Sequence, residues 1–113
     1  MQPFFYTIFL YIRSMLLYNI TIIIESDSES AVISKVRNLV SLPEVNQQNQ
    51  TVRLLKMKDS PHEGGTYSLQ VQAGDHAAIL HFKEGHLTGL QAELETEYPG
   101  KVHYFESIME YIV

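Results

Sequence analysis

At 113 residues with 45% apolar side chains, the chain has the length of one domain and enough material for one modest core. Eight basic against thirteen acidic residues give a net charge of −5, and the positive residues are scattered, which argues against nucleic acid as a partner. The absence of cysteine removes disulfides, thiolate chemistry and Cys-ligated zinc together, and it fits a reducing cytoplasm.

The chain opens on an apolar run, Pro3 to Ile24, whose one charge is Arg13. A transmembrane helix needs about 20 apolar residues, but a central Arg would cost roughly 2.5–3.5 kcal/mol. The second half of the run is β-branched with alternating polar residues, the mark of a strand. A signal peptide would place its positive charge first and end on small residues, and neither condition is met. Residues 1–14 are therefore expected to be an apolar extension outside the domain, with Met15 the natural start and 15–113 one domain. A membrane-associated domain held by Phe4–Ile12 is an alternative.

Leu16–Glu25 reads as a strand with Leu16, Tyr18, Ile20, Ile22 and Ile24 on one face and Leu17, Asn19, Thr21 and Ile23 on the other. Ser26-Asp27-Ser28-Glu29 has the form of a capping box, and Val32, Ile33, Val36, Leu39 and Val40 follow at helical spacing. Leu42-Pro43 closes that helix. Thr51–Lys58 reads as a second strand, Asp59–Gly65 as a turn, and Thr66–Ala73 as a third strand with clean alternation. Asp75 caps a second helical region whose stripe is Ile79, Phe82, His86, Leu90 and Leu94. Gly85, Gly89 and the box-like Thr88-Gly89-Leu90-Gln91 predict a break or kink near 85–88. Pro99-Gly100 ends it, and Lys101–Val113 reads as a fourth strand, apolar on both parities.

The order β-α-β-β-α-β predicts an α+β, ferredoxin-like fold: a four-stranded antiparallel sheet with both helices on one face. The other face would be half apolar and half neutral-polar, whereas a solvated face is nearly free of apolar side chains. A second copy is the simplest cover, so a homodimer with its sheets face to face is expected.

Chemistry is sparsely signalled. His76, His81 and His86 are five apart, and neighbours on an α-helix would be rotated by roughly 140°, so no metal site is expected. No phosphate-binding loop, nucleophile elbow or cofactor motif occurs, and no cofactor is expected. His86, on the apolar stripe, is the weak catalytic candidate, able to act as acid or base near neutral pH. The ligand-binding candidates are Asn19, Thr21, Arg53, Gln70, His103 and Phe105, grouped with Ser68 on the open sheet face. A small-molecule ligand there and a wet dimer interface would leave the same trace in sequence.

With these elements placed, the chain resembles the bacterial domain of unknown function family 4286. The likeness rests on Met15-Leu16-Leu17-Tyr18-Asn19-Ile20-Thr21, Leu42-Pro43-Glu44-Val45, Val52-Arg53-Leu54-Leu55-Lys56 and Glu63-Gly64-Gly65-Thr66-Tyr67-Ser68-Leu69-Gln70. It continues at His86, at Leu90-Gln91-Ala92-Glu93, and around Phe105 and Ile108-Met109-Glu110. The resemblance implies a dimeric α+β barrel, in which two ferredoxin-like subunits pack sheet against sheet. Relatives in that wider group include monooxygenases and small isomerases with the ligand between sheet and helices. The chain departs from the pattern by lacking Trp in the first helix and by placing Ser41, not His, before Leu42-Pro43. The reading is thus an uncharacterised homodimer that binds a small ligand or serves as an interaction module. The alternative is a monooxygenase- or isomerase-like enzyme with a pocket on the sheet.

Overall fold

Strict in–out alternation from Leu16 makes β1 (Leu16–Ile24), the strand that joins the two halves of the sheet in the computed structural model, which describes residues 15–46 and 50–112. The expectations for residues 1–14 fall outside the described residues. The other strands are β2 (Gln50–Lys56), β3 (Gly65–Ala73) and β4 (Val102–Glu110), all paired antiparallel in the order β2-β3-β1-β4. This is the expected ferredoxin-like α+β arrangement. Against β1 the register sets Asn19 opposite Gln70 and Ser107, and Thr21 opposite Ser68 and Phe105.

Both helical segments lie on the face that carries Tyr18, Ile20, Ile22 and Ile24. Helix α1 (Glu29–Val40) buries Val32, Val36 and Leu39 there. Helix α2 (His76–Phe82) buries Ile79 and Phe82, and α3 (Thr88–Glu97) buries Leu94. Ile20, Ile24, Leu69, Val71, Val32 and Phe82 are fully inaccessible, and burying a side chain of that size stabilises by about 1.5–3 kcal/mol.

Two local expectations change. The Ser26–Glu29 box does not cap α1; the chain takes a 3₁₀ turn (Ser26–Ser28), and no side-chain cap hydrogen bond forms. Glu29 instead accepts a hydrogen bond from the Tyr67 hydroxyl and pairs with Lys56 at 3.4 Å, so tertiary partners take the carboxylate from the helix end. By contrast, Asp75 caps α2 as expected, accepting from Ala78 N–H at 2.9 Å. The expected break near 85–88 is a π turn (Lys83–Leu87) that keeps the backbone helical from α2 into α3. Its closing bond runs from Thr88 N–H to Lys83 O, and the Thr88 hydroxyl donates to the same carbonyl at 2.9 Å. One extra residue is thereby absorbed without ending the helix.

The connection from β2 to β3 folds back on the end of β1. A Cβ at Gly64 would sit 1.9 Å from Ile24 O and 2.8 Å from Ser26 N, both backbone atoms that cannot swing aside. Gly64→Ala is therefore expected to destabilise by about 2 kcal/mol or more in denaturant unfolding, whereas Gly74→Ala meets no atom within 4 Å and is expected to lack that penalty. Tyr104 supplies a test of opposite sign. Its buried hydroxyl has no hydrogen-bond partner among the described residues. Burial pushes the phenol up to about 12, with Glu95 adding to the rise. Tyr104→Phe is expected to leave stability unchanged or raise it by about 1 kcal/mol.

Candidate functional site

The pleat decides which side chains share a face, and the register brings the sequence candidates together. Asn19 and Thr21 of β1, Arg53 of β2, Gln70 of β3, and His103 and Phe105 of β4 all occupy the face opposite the helices. Down its middle runs a polar chain. Gln70 Nε2 donates to Ser68 Oγ at 3.2 Å, Ser68 donates to Asn19 Oδ1, and Asn19 Nδ2 donates to Thr21 Oγ1 at 3.2 Å. Apolar side chains flank it: Phe105 and Met109 on β4, and Leu55 with Met57 at the β2 edge, each roughly half exposed or more. The hollows here are small, about 110 Å³ beside Arg53 and Gln70 and about 230 Å³ beside Thr21 and Ser68. Polar groups that satisfy one another are cheap to desolvate.

His86 stands elsewhere. It is half-buried in the π turn, with its ring 5.9 Å from Phe82 and 6.4 Å from His81. The i→i+5 bonding of a π turn stacks residues five apart, so His81 and His86 meet where an ideal α-helix would separate them. The spacing rule that parted these two histidines fails at the turn. Among the described residues, no three His, Asp or Glu side chains group as they would around a metal ion.

The larger cleft opens on the helix side, between α2 and β4. It has a volume of about 510 Å³ and is lined by Tyr18, His76, Ile79, Leu80, Lys83, Glu106, Ser107 and Ile108. Glu106 is its chemical centre. The register pairs it with the fully buried Ile20, so it occupies a core-facing position of the strand. It accepts hydrogen bonds from the Tyr18 hydroxyl and, at 3.4 Å, from Gln91 Nε2, and Lys83 Nζ lies 3.3 Å away. Burial works to raise the carboxyl, but the bonds from Tyr18, Gln91 and Lys83 outweigh it and hold Glu106 below the usual carboxylate range. Tyr18, itself buried, is pushed above the usual phenol range by burial and then by the carboxylate it bonds. At neutral pH the cleft thus holds an ionised carboxylate, a neutral phenol and an ammonium beside an apolar wall of Ile79, Leu80 and Ile108. Such a set can orient a small polar group and move a proton.

Sequence reasoning passed over Tyr18, Lys83 and Glu106. A signal existed: Glu106 is a carboxylate in phase with Val102, Tyr104 and Ile108, the set that faces the helices.

The fold and the two-sided sheet define an α+β protein of the ferredoxin-like class. The chain belongs to the family described as domain of unknown function DUF4286, whose model matches residues 15–112. No curated protein is detectably similar to it in sequence. Among solved structures, it resembles a protein from Nitrosomonas europaea provisionally described as an antibiotic biosynthesis monooxygenase. The TM-score is 0.67 at 13% identity, covering 86% of this chain and 89% of that one. A Caulobacter crescentus protein with the same provisional description gives 0.67 at 14% identity, covering 89% and 92%. A protein from an uncultured marine organism described as a dimeric ferredoxin-like protein gives 0.64 at 10%, covering 88% and 95%. At such identities the likeness establishes the fold.

The Glu106 network gives a pH test with a definite sign. A carboxyl held low in the folded state stabilises fully above its unfolded value, about 4.3, and that stability is lost as the pH falls through the lower folded value. Thermal unfolding of Glu106→Gln should accordingly show a smaller loss of stability between about pH 5 and pH 3 than the parent chain. Asp27, Glu29 and Glu93 are also held low and supply the dependence that remains.

Proposed function

We propose that the protein is a homodimer in which two copies cover each other's open sheet face, and that each copy binds a small ligand in the cleft between α2 and β4. The observation that carries the pairing is the chemistry of the open face. A self-satisfied row of Gln70, Ser68, Asn19 and Thr21 is flanked by Phe105, 64% exposed, and by Met109 and Leu55. Exposed apolar area around satisfied polar groups suits an interface better than open water. One solved structure of this fold is itself described as dimeric, which supports the reading. The ligand candidates Asn19, Thr21, Arg53, Gln70, His103 and Phe105 become, on this view, contacts of the pairing surface.

The cleft is the place for the ligand because its volume of about 510 Å³ falls in the usual range for small-molecule sites and its one acid is held ionised among donors. A ligand with an apolar body and a single hydrogen-bonding head fits the lining. A second reading, a small enzyme, is favoured by the Tyr18–Glu106–Lys83 group, which has the parts of an acid–base set, and by the provisional monooxygenase descriptions of the Nitrosomonas and Caulobacter proteins. A cytoplasmic setting fits a chain without cysteine. Among the described residues no helix is long and apolar enough to cross a membrane. The acidic balance argues against a nucleic-acid partner.

Sedimentation velocity at micromolar concentration tests the pairing. A species of twice the 13.0 kDa chain mass is expected, and Phe105→Glu, which sets a charge on the open face away from the core, should shift it toward monomer at least ten-fold in dissociation constant. A parent chain that sediments as a monomer contradicts the proposal.

A further inference from the structure

The opposite sheet edge carries a second groove. It lies between α1 and β2, has a volume of about 450 Å³, and is lined by Ile33, Arg37, Val40, Ser41, Leu54, Leu55, Lys56 and Tyr67. Ile33, Val40 and Leu54 are half-buried side chains packed on the core, and they give the groove an apolar floor.

Among the described residues its charges do not balance, and here the unpaired cation lies over apolar side chains. Lys35 pairs with Glu93 and Glu97, Lys83 with Glu106, and Lys101 with Asp27. Arg37, like Arg53 and Lys58, has no ion-pair partner among the described residues, and of these three it alone lines the groove. Among the described residues, the carboxylate bonded to the groove's lining is Glu29, held by the Tyr67 hydroxyl and by Lys56 at 3.4 Å. The Ser41 hydroxyl is likewise committed, donating to Arg37 O at 2.9 Å. One net positive charge therefore stands over an apolar floor, within a chain of net charge −5.

The backbone adds donors on the same side. Met57 N–H donates to Thr66 O at 2.8 Å, across the pairing with β3, whereas Val52 N–H turns outward to Asn46 Oδ1 at 2.9 Å. Antiparallel pairing alternates, so Leu54 and Lys56 also direct their N–H groups away from β3, toward the rim of the groove.

We infer that this groove binds an aliphatic carboxylate, its acid group held by Arg37 with Lys56 and its chain lying on Ile33, Val40 and Leu54. A guanidinium beside backbone donors is well matched to a planar carboxylate. A dianion such as phosphate would exceed the single net charge and leave the apolar floor uncovered. This site shares no lining residue with the Glu106 cleft, so the two readings stand or fall separately.

Octanoate titrated into the uniformly ¹⁵N-labelled full chain is the direct test, with octan-1-ol as the uncharged probe of equal length. Saturable amide shifts are expected at Ile33, Arg37, Leu54 and Lys56, with octan-1-ol at least ten-fold weaker. Arg37→Ala should weaken octanoate at least ten-fold without moving Tm, since the side chain is exposed, and Arg37→Lys should recover part of the loss. Equal binding of the alcohol, unchanged affinity in Arg37→Ala, or shifts confined to the α2–β4 cleft would each overturn the inference.

Discussion

Everything in the molecule depends on the alternation of β1, which is hydrogen-bonded on both sides and sets the register of β3 and β4 alike. Its even-numbered residues build the core, and its odd-numbered residues set the character of the open face. A slip of one residue would exchange Ile20, Ile22 and Ile24 for Asn19, Thr21 and Ile23, leaving polar groups under the helices and isoleucines outside. Pairing on both edges makes that penalty fall on the whole sheet. The same constraint explains why one strand contributes Tyr18 to the cleft and Asn19 to the opposite surface, though the two are adjacent in sequence.

The two faces then acquire different chemistry for physical reasons. On the helix side, the carboxylate of Glu106 points toward the helices yet stays partly open to solvent, and hydrogen-bond donors hold it ionised. Glu106 has three: Tyr18, Gln91 and Lys83. They come from β1, α3 and the π turn, so the carboxylate ties the sheet to the helical layer while lining the cleft. The π turn matters here because it supplies Lys83 to Glu106 while letting the helix run on from α2 into α3. On the other side, the polar groups spend their hydrogen bonds on one another, and that leaves a surface whose apolar flanks dominate its contact with water.

Much of this was legible from residue order. Period-two alternation located β1 and β3 within a residue or so, the 3.6-residue stripe located the helices, and the parity of β1 and β3 placed Asn19, Thr21 and Gln70 on one face. What escaped had specific causes. The capping box at Ser26–Glu29 gave way because Glu29 has better partners in Tyr67 and Lys56, far off in sequence. The break or kink expected near 85–88 takes the form of a π turn, in which the helix absorbs one inserted residue. The Glu106 site was missed because β4 is apolar on both parities. Its pairing with β1 fixes the parity that the placement of Phe105 on the open face already implied, with Glu106 toward the helices.

If a second copy covers the open sheet face, the methionines of that face report on the pairing. Met57 and Met109 belong to that face and are 54% and 47% exposed in the single chain. Methionine oxidation by dilute peroxide tracks exposure and is read by mass spectrometry. Paired faces predict that Met109 is protected at high protein concentration and reacts several-fold faster on dilution to nanomolar. A rate for Met109 independent of protein concentration, equal to that of the unfolded chain, would contradict the account.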